Sequence, residues 1–234
     1  MPPPNPIIVA LDVPSLDEAR ELAGALQGHV GCFKVGLELF AEHGPEAVTA
    51  IRRFGPVMLD VKLHDIPTTV ERAVRRLAPL DVDLLTVHAG GGAAMVAAAV
   101  GGLGTAGRIL AVTVLTSTSD DELAAMNQPP AAQQVPALAQ LAVSAGAPGL
   151  VCAPRDLPAV RAAVGPDVLL VTPGIRPAGT GDDDHARAAS PASALADGAD
   201  LLVIGRPIVR ADDPVAAADA ITATARQVVG GATP

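Results

Sequence analysis

Two hydrophobic rhythms alternate along this chain. Short runs dense in Val, Ile and Leu occupy residues 7–12, 32–36, 57–62, 84–88, 109–114, 149–152, 168–172 and 201–204, and their length and near-continuous apolar character suit strands buried on both faces. Between them, residues 16–26, 39–54, 68–78, 93–100, 131–144, 155–164 and 191–196, and finally 214–229, show the spacing of helices. Start signals agree. Ser15 precedes Leu16 with Glu18 three residues on, the pattern of a capping box, and Pro214 suits a first helical position, where its missing N–H costs nothing.

Eight strands alternating with eight helices predict a parallel sheet covered by helices, closed into a single (β/α)8 barrel. An open doubly wound sheet is the alternative. It carries fewer units and would want a Gly-x-Gly-x-x-Gly turn after the first strand, where this chain has Asp12-Val13-Pro14-Ser15. The expected organisation is one domain over residues 1–234, with 1–6 and 230–234 as terminal tails.

A barrel collects its chemistry at the C-terminal ends of its strands, and polar residues fall there. Asp12 ends the first run, Lys34 lies within the second, and Asp60 and Lys62 end the third, with Asp65 just beyond. His88 ends the fourth, and Thr116 and Ser117 follow the fifth. Alternation along a strand puts Asp60 and Lys62 on one face. Asp60, Lys62 and Asp65 form a compact cluster whose lysine stays protonated between two anions, a proton donor in waiting. With Lys34 added, lysines and carboxylates alternate in the barrel mouth, so that all stay ionised in a partly dry site. For Lys34 alone, a side chain snorkelling to the rim is the competing reading.

The Gly-rich loop from Pro173 to about Arg187 and the Gly205-Arg206 pair after the eighth run occupy the places where barrels most often hold a phosphate. Arg176 and Arg206 are forked donors suited to a dianion. Singly they read as solvated charges. Jointly with the charge cluster they point to a phosphorylated small molecule. His88 is a general base by residue type, but reads here as a hydrogen-bonded core histidine below the site, since Lys62 already supplies a proton. No spaced His/Cys set suggests zinc, and Asp182-Asp183-Asp184 reads as three solvated carboxylates, so no metal is expected.

Composition narrows the partners. Half the residues are hydrophobic, yet there are three Phe and no Trp or Tyr, so the core is built from Ala, Val, Leu and Ile and base-stacking platforms are lacking. A net charge of −9 without a basic run argues against nucleic acid. No apolar run reaches membrane-spanning length, and Met1-Pro2-Pro3-Pro4-Asn5-Pro6 lacks the basic start of a signal peptide; a cytoplasmic protein is expected. Cys32 and Cys152, without Cys-x-x-Cys spacing, read as small buried hydrophobes.

Almost end to end, the chain resembles the orotidine 5′-monophosphate decarboxylase family in its bacterial form. The likeness rests on Ala10-Leu11-Asp12, Phe33-Lys34-Val35-Gly36, Asp60-Val61-Lys62-Leu63-His64-Asp65-Ile66-Pro67-Thr68-Thr69, Thr86-Val87-His88-Ala89, Leu115-Thr116-Ser117, Thr172-Pro173-Gly174-Ile175-Arg176-Pro177 and Ile204-Gly205-Arg206-Pro207-Ile208. Asp-x-Lys-x-x-Asp alone also occurs in sugar-phosphate relatives on the same barrel; the continuation Ile66-Pro67-x-Thr69 is the specific part. The resemblance implies cofactor-independent decarboxylation of orotidine 5′-monophosphate to UMP and CO2 in pyrimidine biosynthesis. It implies that Lys62 protonates C6 as CO2 departs, with Asp60 and Asp65 flanking the reacting carboxylate. Asp12 and Lys34 would hold the ribose hydroxyls, Lys34 also linking to Asp60, and Thr116 would contact the base. Arg176, Arg206 and the Gly205 amide would grip the phosphate. Asp65 and Thr69 would reach the neighbouring subunit's site, making a homodimer the active unit, and Ile66 between them counts among the substrate-binding residues. Counting from Arg176, His185 after Asp184 stands where the family usually has a phosphate-contacting glutamine, and can still donate a hydrogen bond; a loop register shifted by the Asp run is the alternative.

Two rivals remain. One is a magnesium-dependent sugar-phosphate decarboxylase or aldolase, in which the metal would stabilise an enediolate. The other is a non-catalytic barrel that binds a nucleotide and regulates a partner; an ammonium placed like that of Lys62 would have no use there.

Overall fold

Eight parallel strands close into a barrel in chain order, each paired with the next and the last with the first. They are β1 (Ile7–Ala10), β2 (Cys32–Gly36), β3 (Val57–Leu63), β4 (Leu84–His88), β5 (Arg108–Val112), β6 (Gly149–Val151), β7 (Leu169–Thr172) and β8 (Leu201–Ile204). The structure, a computed structural model, describes residues 5–176 and 189–230, with side chains to residue 225. The helices among them are α1 (Leu16–Leu26), α2 (Leu37–His43), α3 (Pro45–Arg52), α4 (Pro67–Leu77), α5 (Ala93–Leu103), α6 (Asp120–Ala125), α7 (Ala131–Ser144), α8 (Leu157–Val164), α9 (Pro191–Ala196), α10 (Arg206–Val209) and α11 (Pro214–Gly230).

The expected single helix over 39–54 is two. Gly44 ends α2 with a left-handed φ of 55°, its N–H donating to the Phe40 carbonyl, and Pro45 opens α3, where the absent N–H leaves nothing unsatisfied. Helix α6 was not expected, although its signal was present: Ser119 and Glu122 cap each other reciprocally. Asn5 and Pro6 belong to the barrel rather than to a tail. The Asn5 side chain is buried, donates to the His29 carbonyl and accepts from the Ile7 amide, and the Pro6 carbonyl accepts from the Leu202 amide.

Aliphatic side chains fill two layers. One lies between sheet and helices and the other inside the barrel, where Ile8, Met58, Leu110, Val171 and Leu201 meet. Each such side chain contributes roughly 1.5–3 kcal/mol by leaving water, which is how a chain nearly free of aromatics fills its centre. Cys32 and Cys152 are buried among them, and burial pushes both thiols up to about 12, so both are small hydrophobes here.

At the N-terminal face, one polar device appears twice, on opposite sides of the ring. Asp83, just before β4, accepts the Val57 amide of β3 at 2.7 Å; Asp200, just before β8, accepts the Leu170 amide of β7 at 2.8 Å. An arginine from a preceding helix braces each. Arg52 donates to the Gly55 and Asp81 carbonyls, and Arg161 donates to the Gly165 and Gly198 carbonyls and, at 2.8 Å, to Asp200 itself. These pins close the base of the barrel and leave the other rim free for chemistry. Replacing Arg161 with Ala leaves four carbonyls, those of Gly165, Pro166, Val168 and Gly198, without this donor and should lower unfolding stability by about 2–3 kcal/mol. The check is a denaturant melt, in which the midpoint falls with an unchanged slope; an unmoved midpoint would remove the pin from the account.

Candidate active site

The chemistry starts where β3 leaves its ladder. Met58 pairs with Leu84 and Leu59 with Leu85, but the next pair is Leu63 with Val87, so four steps along β3 match two along β4. Within the bulge Lys62 has φ 48°, a left-handed backbone that costs a non-glycine residue roughly 1–2 kcal/mol. Asp60 and Lys62 do share a face, as alternation predicts. The bulge, rather than a continuing strand, brings them together.

Lys62 Nζ donates to both Asp60 oxygens at 2.9 Å. Lys34 Nζ donates to Asp12 Oδ1 at 2.8 Å and lies 3.7 Å from Asp60 Oδ2. The order is therefore Asp12, Lys34, Asp60, Lys62, with sign alternating at each step. Lys34 and Asp60 are 7% and 8% exposed, deep enough that desolvation is repaid only by such close pairing. Gly36 makes room for it. A Cβ there would stand 2.9 Å from both Asp12 Oδ1 and Lys34 Nζ.

This array forms one wall of a cavity of about 400 Å³ at the C-terminal rim. Thr116, Arg176, Gly205 and Arg206 line other walls, over an apolar floor that includes Met58, Val112, Val151 and Val203. The volume and the few convergent polar groups fit a small phosphorylated ligand. Gly36 and Thr86 stand in the motifs that carry the resemblance, but their parts are not readable there: Gly36 clears the space in which Lys34 meets Asp12, and the Thr86 hydroxyl reaches both Asp60 and the Lys62 backbone.

Three expected site residues are not brought to this cavity. Asp65 is exposed, with Oδ1 accepting the Ile66 amide at 2.7 Å; Ile66 is 66% exposed, and Thr69 lies exposed in the first turn of α4. The expected Asp60–Lys62–Asp65 cluster is thus a pair within one chain, because the turn after Leu63 carries Asp65 outward. His88 does not sit buried in the core either, and its ring makes no hydrogen bond among the described residues. It is half-buried at the end of β4, its ring 5.3 Å from that of His64, and burial, then His64 and Lys62, push its pKa below the ordinary 6.5 against a smaller opposing pull from Asp60. His185 and the Asp182–Asp184 run lie outside the described residues. Among the described residues no three His, Cys, Asp or Glu side chains cluster as metal ligands.

The sequence matches the orotidine 5′-phosphate decarboxylase / HUMPS family over residues 5–221. It is 56% identical over 226 residues to orotidine 5′-phosphate decarboxylase of Anaeromyxobacter sp. strain K, covering 95% of this chain and 99% of that one. It is 53% identical to that of Thermobifida fusca, covering 98% of each. Among solved structures it resembles orotidine 5′-phosphate decarboxylase from Lactobacillus acidophilus at 37% identity and a TM-score of 0.83, covering 94% of this chain and 99% of that one.

Two expectations follow from the geometry. Gly36→Ala forces Lys34 and Asp12 apart, and ligand affinity of the cavity should fall about tenfold or more, the loss of one charge-assisted pair; isothermal titration with UMP reads it. His88 supplies a pH effect. The folded state resists protonating it, so the unfolded chain binds more protons once pH falls below 6.5, and stability should decline as pH drops through that value. Urea midpoints from about pH 8 to about pH 5 should show that decline flattened in His88→Asn.

Proposed function

The chain belongs to the orotidine 5′-phosphate decarboxylase / HUMPS family, and from that premise we propose that it decarboxylates orotidine 5′-monophosphate to UMP and CO2, with Lys62 delivering the proton to C6. The observation that carries this reading is the alternating array of Asp12, Lys34, Asp60 and Lys62 on one wall of a nucleotide-sized cavity that Arg176 and Arg206 also line.

When the C6–carboxylate bond breaks, its electron pair stays on C6 as a vinyl-type carbanion with no conjugated sink. The site must stabilise charge where it develops and quench it at once. Lys62 suits both tasks. Its ammonium is held by both oxygens of Asp60, gives one N–H proton to C6, and is reprotonated from water after product leaves. Asp60 stands beside the departing carboxylate. Lys34 and Asp12 take the ribose hydroxyls, with Lys34 tethering Asp60 as well, and Thr116 contacts the base. The phosphate sits on Arg176, Arg206 and the Gly205 amide, with His185 as a further donor. Binding at this remote group helps organise the charged wall.

The active unit is a homodimer in which Asp65, Ile66 and Thr69 complete the partner's site. Their exposure outside their own cavity supports this, above all that of Ile66, an apolar side chain on the rim. Residues 1–234 form one catalytic domain, and as a step of pyrimidine biosynthesis the reaction belongs in the cytoplasm.

Loss of pyrimidine absorbance on mixing the protein with orotidine 5′-monophosphate is the direct test. Turnover should be unaffected by EDTA; dependence on added magnesium would turn the reading toward the metal-assisted sugar-phosphate enzymes. Lys62→Ala should abolish turnover while UMP still binds, and surviving activity would unseat Lys62. Mixing inactive Lys62→Ala with inactive Asp65→Asn should restore about a quarter of native activity, since half the dimers are mixed and each mixed dimer has one intact site. No recovery on mixing would place Asp65 outside the partner's site.

A further inference from the structure

We infer that the Thr86 hydroxyl is the positioning group that holds Asp60 and Lys62 in reacting geometry; the inference rests on the decarboxylation reading above. Between Leu59 and Leu63 the β3–β4 ladder is broken, so the Lys62 N–H has no strand carbonyl to pair with. Thr86 Oγ1 on β4 accepts it at 2.9 Å. The same oxygen lies 3.0 Å from Asp60 Oδ1. An amide can only donate, so the single hydroxyl proton is committed to the carboxylate, and one fully buried oxygen fastens both members of the pair.

Each bond answers a specific liability. A left-handed lysine relaxes toward extended backbone unless something holds its amide, and that relaxation would swing Nζ off Asp60. A carboxylate shared by two ammoniums can rotate toward either; the donor on Oδ1 keeps both oxygens 2.9 Å from Lys62 Nζ. Thr86 does not line the cavity, so it meets no ligand and acts through Asp60 and Lys62. Threonine also suits the place sterically, because its branched side chain is stiff about χ1 and points the hydroxyl one way. Valine would keep that shape and remove only the hydrogen bonds.

The experiment compares wild type, Thr86→Val and Thr86→Ser by three readouts. For Thr86→Val, kcat should fall about a hundredfold, the scale of a roughly 1 Å misplacement of a reacting group, while UMP affinity stays within about threefold. Thr86→Ser should recover most of kcat. Amide exchange at Lys62, followed by NMR without substrate, should speed up in Thr86→Val and not in Thr86→Ser, with thermal melts showing that both variants are folded. A Thr86→Val enzyme with native kcat overturns the inference, as does a serine variant no better than valine, or unchanged Lys62 exchange. A merely structural role would lower the melting point and UMP affinity together with kcat, and that pattern also overturns it. If wild type fails to turn over orotidine 5′-monophosphate, the decarboxylation reading falls, while the exchange data still decide whether Thr86 holds the bulge.

Discussion

Everything at the active rim depends on one buried carboxylate shared by two ammoniums. Asp60 sits between Lys34 and Lys62, and Lys34 passes on to Asp12 at the open side of the cavity. None of these groups is cheap to bury alone. Together they bring near-zero local charge to a partly dry wall, and the fold must hold them to within fractions of an ångström.

The barrel meets that demand by dividing labour between its two ends. At the N-terminal face, Asp83 with Arg52 and Asp200 with Arg161 lock neighbouring strands through backbone groups. At the C-terminal face the same architecture tolerates irregularity. β3 bulges, Lys62 turns left-handed, and Gly36 gives up a side chain so that a lysine and a carboxylate can meet. Strain at a site is affordable when the scaffold beneath it over-determines the strands.

The apolar floor has its own part. Met58, Val112, Val151 and Val203 close the cavity from below and lower the local dielectric, so the fixed charges act more strongly on a charge developing at the ligand than they would in water. A core built from aliphatic residues is enough for this, since what the site requires of its base is dryness and shape.

The ring of eight strands was legible in the sequence because the period of apolar residues is local: a run of Val, Ile and Leu reads as a strand whatever it later pairs with. Lys34, Asp60, Lys62 and Arg206 were legible for a related reason, since strand ends define the barrel mouth once the units are counted. Partnership was not legible. Only the closed sheet shows that Thr86, twenty-four residues beyond Lys62, takes the amide left over by the bulge, that Gly36 must lack a side chain, or that Asp65 turns away from Lys62 only three residues earlier. Sequence by itself determined which elements form and which residue types reach the rim. Tertiary structure alone decided which of them touch, because register and backbone handedness at a ladder break are set by the neighbouring strand and not by the strand's own residues.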